Sequence, residues 1–290
     1  MCVIPSRFRI AGVVAVAAIV SAVGLAGCSS SSGSYNLIKS GTLTVCSDTS
    51  YPPQESLDNS NNAIGSDIDL ATEIAKRLSL TLSVKSTTFD SIIPALTGGS
   101  CDIIISAQTI TSARQQQVDM VPYFAAGQSF VVLKGNPSKI STVDDLCGLA
   151  VAAEKGTVEA DHIGGTGDYD STTGLSAQCQ AKGKKAITLQ VFDADTQALL
   201  ALQAGTVQAH FTDEPVAGYE VVNGNGAFEM INGMTLERGA EGISVTKNNT
   251  GLRDAVKAQL QAMMDDGTYL TILKKWGVQS GAITSTSAAS

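Results

Sequence analysis

Two hydrophobic periods alternate along the chain. Thr42-Leu43-Thr44-Val45-Cys46 is a β-rich run that leads to a turn at Tyr51-Pro52-Pro53. From Asp67 to Leu78, the apolar residues Leu70, Ala71, Ile74, Ala75 and Leu78 fall on one helical stripe. Leu80 to Lys85 alternates as a strand. Asp90 is placed to cap a short helix through Ile92, Ile93, Ala95 and Leu96. Pro94 sits in its first turn, where a missing donor costs least, and Gly98-Gly99 ends it. Ile103-Ile104-Ile105 is a continuous apolar run, the pattern of a strand buried on both faces.

The alternation resumes further on. Leu149 to Ala153, Ile187 to Phe192 and Val207 to Phe211 read as strands, and Thr196 to Ala204 and Glu214 to Val222 as helices. Two more helices follow, Leu252 to Asp265 and Tyr269 to Trp276. This βαβ order predicts parallel sheets with helices on both faces. Gly127 to Lys134, extended and apolar between the two series, is a candidate for a strand crossing between lobes. A return near Ile231 to Met234 would place the final helices in the first lobe. The pattern alone does not establish this double crossing.

The N-terminus changes the picture. Arg7 and Arg9 precede an uncharged, Ala/Val/Ile/Gly-rich stretch from Ile10 to Gly27. Residues 1–27 read as a signal peptide. Leu25-Ala26-Gly27-Cys28, followed by serines, resembles the lipobox of bacterial lipoproteins, in which the cysteine carries lipid. A retained transmembrane helix is the competing reading, since such a stretch barely spans a bilayer. The small residues before Cys28 and the flexible segment 28–36 after it favour the anchor. The expected location is extracytoplasmic, tethered to the cell membrane through Cys28.

Length and charge then narrow the classes. The chain has 290 residues, which suits two lobes better than one core. Its net charge of −8 argues against nucleic acid and anionic membrane surfaces as partners. Of six cysteines, Cys2 leaves with the signal and Cys28 takes lipid. Cys147 and Cys179 each precede a predicted strand and are the expected disulfide; Cys46 and Cys101 are read as unpaired. With two histidines and no CxxC pair, no metal site or other cofactor is expected. Residues 281–290 read as a disordered tail.

Five segments together carry a resemblance. They are Asp48 to Pro53, Gly65 to Ala71, Phe89 to Leu96, Thr109 to Arg114, and Asp266 to Tyr269 continuing into Lys275-Trp276-Gly277. In this order the chain resembles the family 3 bacterial extracellular solute-binding proteins, the polar amino-acid receptors of ABC importers, from Leu37 to Val278. The resemblance implies an α/β, type II periplasmic binding protein fold: two doubly wound lobes joined by two crossing strands. Lobe one would comprise 37–126 and 233–280, and lobe two 127–232. It implies a monomeric receptor that hands its amino acid to a permease and ATPase complex.

The site residues follow from the ligand's chemistry and this resemblance. A free amino acid brings a carboxylate and an ammonium, and a dry site must pair both. Arg114 is the carboxylate partner, because a guanidinium offers two parallel donors. The start of its short helix after Thr111 also favours an anion. Thr109 and Ser106 can add hydroxyls, and Ser106-Ala107-Gln108-Thr109 backbone amides. Asp213, after the strand ending at Phe211, matches the family's ammonium partner; a plain helix N-cap is the alternative. Tyr51 and Phe89 match side chains set against the ligand's stem, and Phe89 is equally a core candidate. Thr157 is a carboxylate donor or only a cap. Asp48 and Glu154 match side-chain contacts. With Asp213 they set three carboxylates against one arginine, which calls for a cationic ligand such as arginine, lysine or ornithine. Gln54, Ser66 and Gln108 depart from the family's usual apolar or aromatic residues, and would make the rim more polar or roomier.

Enzymes of this fold, dehydratases among them, are a competing class, and a sensor receptor without transport is another. His162 and His210 match no nucleophilic arrangement, so the expectation is a binder and not an enzyme.

Overall fold

The computed structural model describes residues 35–170 and 172–287. The expected signal peptide, Cys28 and the tether as far as residue 34 lie outside them, as do residues 288–290. Among the described residues no helix is long and apolar enough to cross a membrane.

The chain first runs through β1 (Thr42–Ser47), β2 (Ser50–Tyr51), β3 (Glu55–Leu57), β4 (Ala63–Ile64), α1 (Ser66–Arg77), β5 (Thr81–Ser86), α2 (Ile92–Thr97), β6 (Ile103–Ile104) and α3 (Ser112–Gln117). The long β7 (Asp119–Leu133) leads to β8 (Ala150–Glu154), α4 (Val158–Gly164), α5 (Leu175–Ala181), β9 (Thr188–Phe192), α6 (Asp195–Gln203), β10 (Ala209–Asp213), α7 (Glu214–Asn223) and β11 (Phe228–Met230). Then β12 (Leu236–Val245) returns, followed by α8 (Thr250–Asp265) and α9 (Thr268–Trp276).

The main sheet has the order β5-β1-β6-β12-β7-β10-β8-β9, with β11 on β7, while β2, β3 and β4 form a small sheet of their own. β1 is parallel to β5 and β6, and β8 to β9 and β10; β7 and β12 run antiparallel to each other through the middle. Each half is covered on both faces, as the βαβ pattern predicts. In the first half, Leu43, Val45, Ile103 and Ile105 pack on α1, α8 and α9, while Cys46 and Ile104 pack on the other face with Ile92 and Leu96. In the second half, Phe130, Val132 and Phe211 face Ile163 and Leu175, and Val131 and Ala152 face Ala198 and Leu202. Odd and even residues of β7 thus divide between two cores, the two-residue period of a strand.

Two strands cross between the halves. Val121, Tyr123, Phe124 and Ala126 of β7 lie in the first core, and Phe130 and Val132 in the second. Return is carried by β12, whose Ile243 and Val245 lie in the first core. It is not carried by the 231–234 segment that the sequence suggested: Ile231 and Met234 pack inside the second core. The outgoing strand also begins well before Gly127, at Asp119. Tyr123 explains part of the discrepancy, because its hydroxyl makes the strand look amphipathic while the side chain is fully buried.

Three other expectations need correction. Cys46 and Cys101, read as unpaired, are joined by a disulfide with Cα atoms 5.7 Å apart; Cys147–Cys179 is a second, at 5.6 Å. Pairing β1 beside β6, with Cys46 opposite Ile104, brings Cys101 within reach; nothing local in the sequence announces that. Asp90 does not cap α2: it lies in a 3-10 turn and pairs with Lys155 of the second lobe at 2.7 Å. The described part of the tail, 281–287, is docked. Gly281 sits against the Phe124 ring, Ile283 donates its N–H to Tyr269 Oη at 3.0 Å, and Thr286 donates to Gln261 Oε1 at 3.1 Å. Backbone donors hold it, so its polar composition misled.

Candidate functional site

The cleft between the lobes gathers side chains from the C-terminal ends of parallel strands, where open α/β sheets bind ligands. Eight residues singled out from the sequence line one cavity: Tyr51, Phe89, Ala107, Thr109, Arg114, Glu154, Thr157 and Asp213. The cavity measures about 10 Å³, room for roughly one water. An adjoining cavity of about 320 Å³ shares Thr109, Val158 and Asp213 and continues past Gln128, Tyr169 and Arg238. An amino acid therefore reaches the inner cavity only if the lobes part.

Arg114 is placed by α3, whose Thr111 cap accepts the Arg114 N–H at 3.2 Å. Its Nη1 donates to the Thr109 carbonyl at 2.7 Å, and its Nη2 crosses the cleft to the Gly156 carbonyl at 3.0 Å. Phe89 lies under the guanidinium, 5.2 Å from the ring centroid. The residue is 8% exposed, and no carboxylate forms an ion pair with it among the described residues. Burial lowers its pKa, while Glu159, Asp161, Asp213 and Asp168 pull at longer range in the other direction. A buried guanidinium with carbonyl partners alone still lacks a counter-charge.

Opposite stands Asp213, at the end of β10. Its Oδ2 accepts a hydrogen bond from Tyr51 Oη at 2.9 Å, and Tyr51 Oη in turn accepts from the Asp213 N–H and Thr212 Oγ1, both at 3.0 Å. The side chain makes no cap to α7, so the N-cap alternative is not realised. Burial pushes its pKa up to about 7, with the Tyr51 hydrogen bond opposing.

Asp48 and Glu154 approach each other from opposite lobes. Asp48 accepts from the Ser50 N–H at 3.0 Å and the Phe89 N–H at 2.8 Å, which fixes the loop that carries Tyr51. Glu154 meets Asp48 carboxyl to carboxyl, and its Oε1 is buried without a partner. Two carboxyls make such a contact by sharing a proton or a cation. Desolvation raises the pKa of both, and that of Glu154 well above the usual range.

Other expected contacts fall elsewhere. Ser106 Oγ donates to Glu55 Oε1 at 2.8 Å, and Gln108 Oε1 accepts from Ser244 Oγ, so both side chains serve the interior. The Ala107 N–H goes to Asp67 Oδ2 at 3.0 Å and to Tyr123 Oη at 3.1 Å. The N–H groups of Ser106, Gln108 and Thr109 have no acceptor among the described residues, and of these three residues Thr109 lines the cavity. Thr157 caps α4, accepting from the Ala160 N–H at 3.3 Å, while lining the cavity. Gln54 and Ser66 are buried rather than on a rim: Gln54 Nε2 donates to Glu241 Oε2 at 2.7 Å.

Two acidic groups escaped the sequence reading. Behind the lobe-one wall, Glu55, Asp67 and Glu241 are buried around Tyr123; desolvation raises Glu55 and Glu241 well above the usual range and Asp67 to about 6. In lobe two, Glu159 lines the cavity beside Asp213 and is 2% exposed. An acid in a helix's first turn is an ordinary N-terminal signal, so nothing marked Glu159 out. Deeper still, His210 faces Asp195 at 2.9 Å and Glu220 at 3.2 Å through its two nitrogens. Burial alone would lower its pKa, but these carboxylates push it well up. The three groups can ligate a metal, yet both ring nitrogens already have carboxylate partners.

The arginine-binding protein ArgT of Corynebacterium glutamicum is 28% identical over 85% of this chain and 78% of its own. The structure of an ancestral arginine-binding protein bound to arginine superposes with a TM-score of 0.71 at 36% identity, covering 82% of this chain and 98% of its own. That of an ancestral amino acid-binding protein, AncCDT-1, described as a precursor of cyclohexadienyl dehydratase, gives 0.68 at 31% identity, covering 81% and 95%. These relatives share the type II periplasmic binding protein fold. The model of the bacterial extracellular solute-binding proteins, family 3, matches residues 43–279, and the chain belongs to that family.

Proposed function

We propose that this protein is the lipid-anchored receptor of an amino-acid ABC importer, and that it takes up a free cationic α-amino acid by hinge closure. One observation carries the reading: a buried Arg114, without a carboxylate partner among the described residues, shares its cavity with the buried carboxyls Glu154, Glu159 and Asp213, and Asp48 meets Glu154 from the opposite lobe. The ligand's carboxylate would complete Arg114 and the Thr109 N–H, and its ammonium would go to Asp213. A second positive charge would come between Asp48 and Glu154 and relieve their contact. The arginine-binding relatives support this choice of ligand.

Closure follows from the same contacts. Arg114 to Gly156, Tyr51 to Asp213 and Asp90 to Lys155 all join the two lobes. A ligand that bridges them favours the closed state over the open one by its differential contacts. The permease and ATPase would read that state. The anchor would be lipid on Cys28, and lobe boundaries would fall near 126 in β7 and, past Leu236, within β12, with a monomer as the working unit. A dehydratase remains the second reading, because AncCDT-1 is a precursor of one; recovery of the ligand unchanged after long incubation excludes it.

A thermal-shift screen against the free amino acids tests the reading. Arginine, lysine and ornithine should raise the melting temperature most, since a ligand at a hundred times its Kd adds about 2.7 kcal/mol. No shift with any amino acid would contradict it.

A further inference from the structure

We propose that Glu159 is a second anchor for the ligand's ammonium, paired with Asp213, and that ligand capture expels a proton which the two carboxyls hold between them. The inference rests on the reading of the cleft as an amino-acid site and adds a residue and a linked ion to it.

The geometry begins with α4. Thr157 caps it, and Glu159 follows within the first turn, so the side chain is carried into the cleft rather than to solvent. Glu159 and Asp213 line the same cavity, and their carboxyls interact there. Glu159 Oε1 is buried with no partner. An unpaired buried carboxyl oxygen is costly, and its place on the cavity wall makes it an acceptor without a donor.

Each surrounding element contributes a charge. Arg114 comes from α3, Asp213 from β10 and Asp195 from α6. The Tyr51 hydroxyl reaches in from β2, and Tyr169 lies on the outer side of the cavity. One cation thus stands against Glu159, Asp213 and Asp195, with Glu154 of β8 on the same cavity. Desolvation and then Asp213 hold Glu159 well above the usual carboxylate range, with Arg114 opposing. Asp213 itself is raised to about 7. Two buried carboxyls in contact share a proton rather than ionise together, so the empty cleft keeps a proton on the pair. An ammonium set between the carboxyls supplies the missing donors and stabilises both as carboxylates. The proton then leaves to solvent, and the charge between the carboxyls stays balanced. The sign is fixed: binding that needs ionised groups strengthens as pH rises, until the groups are ionised in the empty cleft as well.

Calorimetric titration of L-arginine at pH 6.5, in two buffers with different heats of protonation, tests this on the intact protein. We expect close to one proton released per arginine bound. Affinity should rise several-fold from pH 5.5 to 7. Glu159→Gln, which keeps the shape but cannot ionise, should release markedly fewer protons and bind roughly tenfold more weakly above pH 7. Equal heats in both buffers for the wild type would overturn the proposal, and so would equal proton release by wild type and Glu159→Gln. Should the variant fail to fold, the wild-type proton count still decides. If no free amino acid binds the wild type, the reading of the cleft falls and this inference with it. Arginine binding without buffer dependence overturns this proposal and leaves the reading of the cleft standing.

Discussion

Replacing Arg114 by alanine is expected to weaken arginine binding by about 3–5 kcal/mol, roughly a hundredfold or more, because it removes the cation that would receive the ligand's carboxylate. The same change should shift the melting temperature of the ligand-free protein by no more than a few degrees. Arg114 donates only to the Thr109 and Gly156 carbonyls, and it carries its own desolvation cost. What folding loses is those two hydrogen bonds and the Phe89 stacking, partly offset by relief of burying an unpaired charge. Arg114→Lys should fall between: it restores a charge but not two parallel donors. Titration of both variants, beside their melting curves, checks this. A protein that melts far lower yet binds arginine normally would show that Arg114 is structural.

The second large effect concerns folding. Gly65 has φ +136, and a Cβ placed there would lie 2.0 Å from the Gln54 carbonyl oxygen and 2.5 Å from its carbon. Neither backbone atom can move aside cheaply, because the Ser66 and Asp67 N–H groups bond the carbonyls of Pro53 and Gln54 at 3.1 and 2.9 Å. Gly65→Ala should therefore cost roughly 3 kcal/mol or more. It should also disturb the site, since Asp67 holds the Ala107 N–H and Gln54 holds Glu241. Urea denaturation should show a lower midpoint with an unchanged slope. A variant within about 0.5 kcal/mol of the wild type would refute this role for Gly65.

What the chain displays locally and what it hides can be separated by these residues. The strand and helix alternation was legible because each element carries its own period, and α1, α6, α7 and α9 begin and end within a residue or two of their stripes. Arg114, on the short helix of the Thr109–Arg114 segment, and Asp213, at the end of a strand, were both singled out from the sequence, and they line one cavity. Pairings that depend on distant partners were not legible. Cys46 with Cys101, Asp48 with Glu154, and Glu55 with Asp67 and Glu241 are brought together by sheet order and lobe closure, which no local pattern records. Ser106 was read as a hydroxyl donor to the ligand, and Gln108 as a backbone-amide donor whose side chain would make the rim more polar or roomier. Here they turn inward to satisfy Glu55 and Ser244, whose burial the sequence did not show. Glu159 was hidden by a different ambiguity: the same acid in a first helical turn serves equally as a solvated cap or a buried anchor.

The buried carboxyls also explain why charge rather than shape should select the ligand. On the proposed reading, a cleft lined by Glu154, Glu159 and Asp213, with Asp48 against Glu154, should gain by taking in positive charge and lose by taking in another carboxylate. Glutamate would add a second negative group with only Arg114 to receive both. The most direct measurement is thus a calorimetric titration of the wild-type protein with L-arginine and, separately, with L-glutamate. The account predicts tight, saturable binding of arginine and no measurable binding of glutamate. Tight binding of glutamate with none of arginine would contradict it.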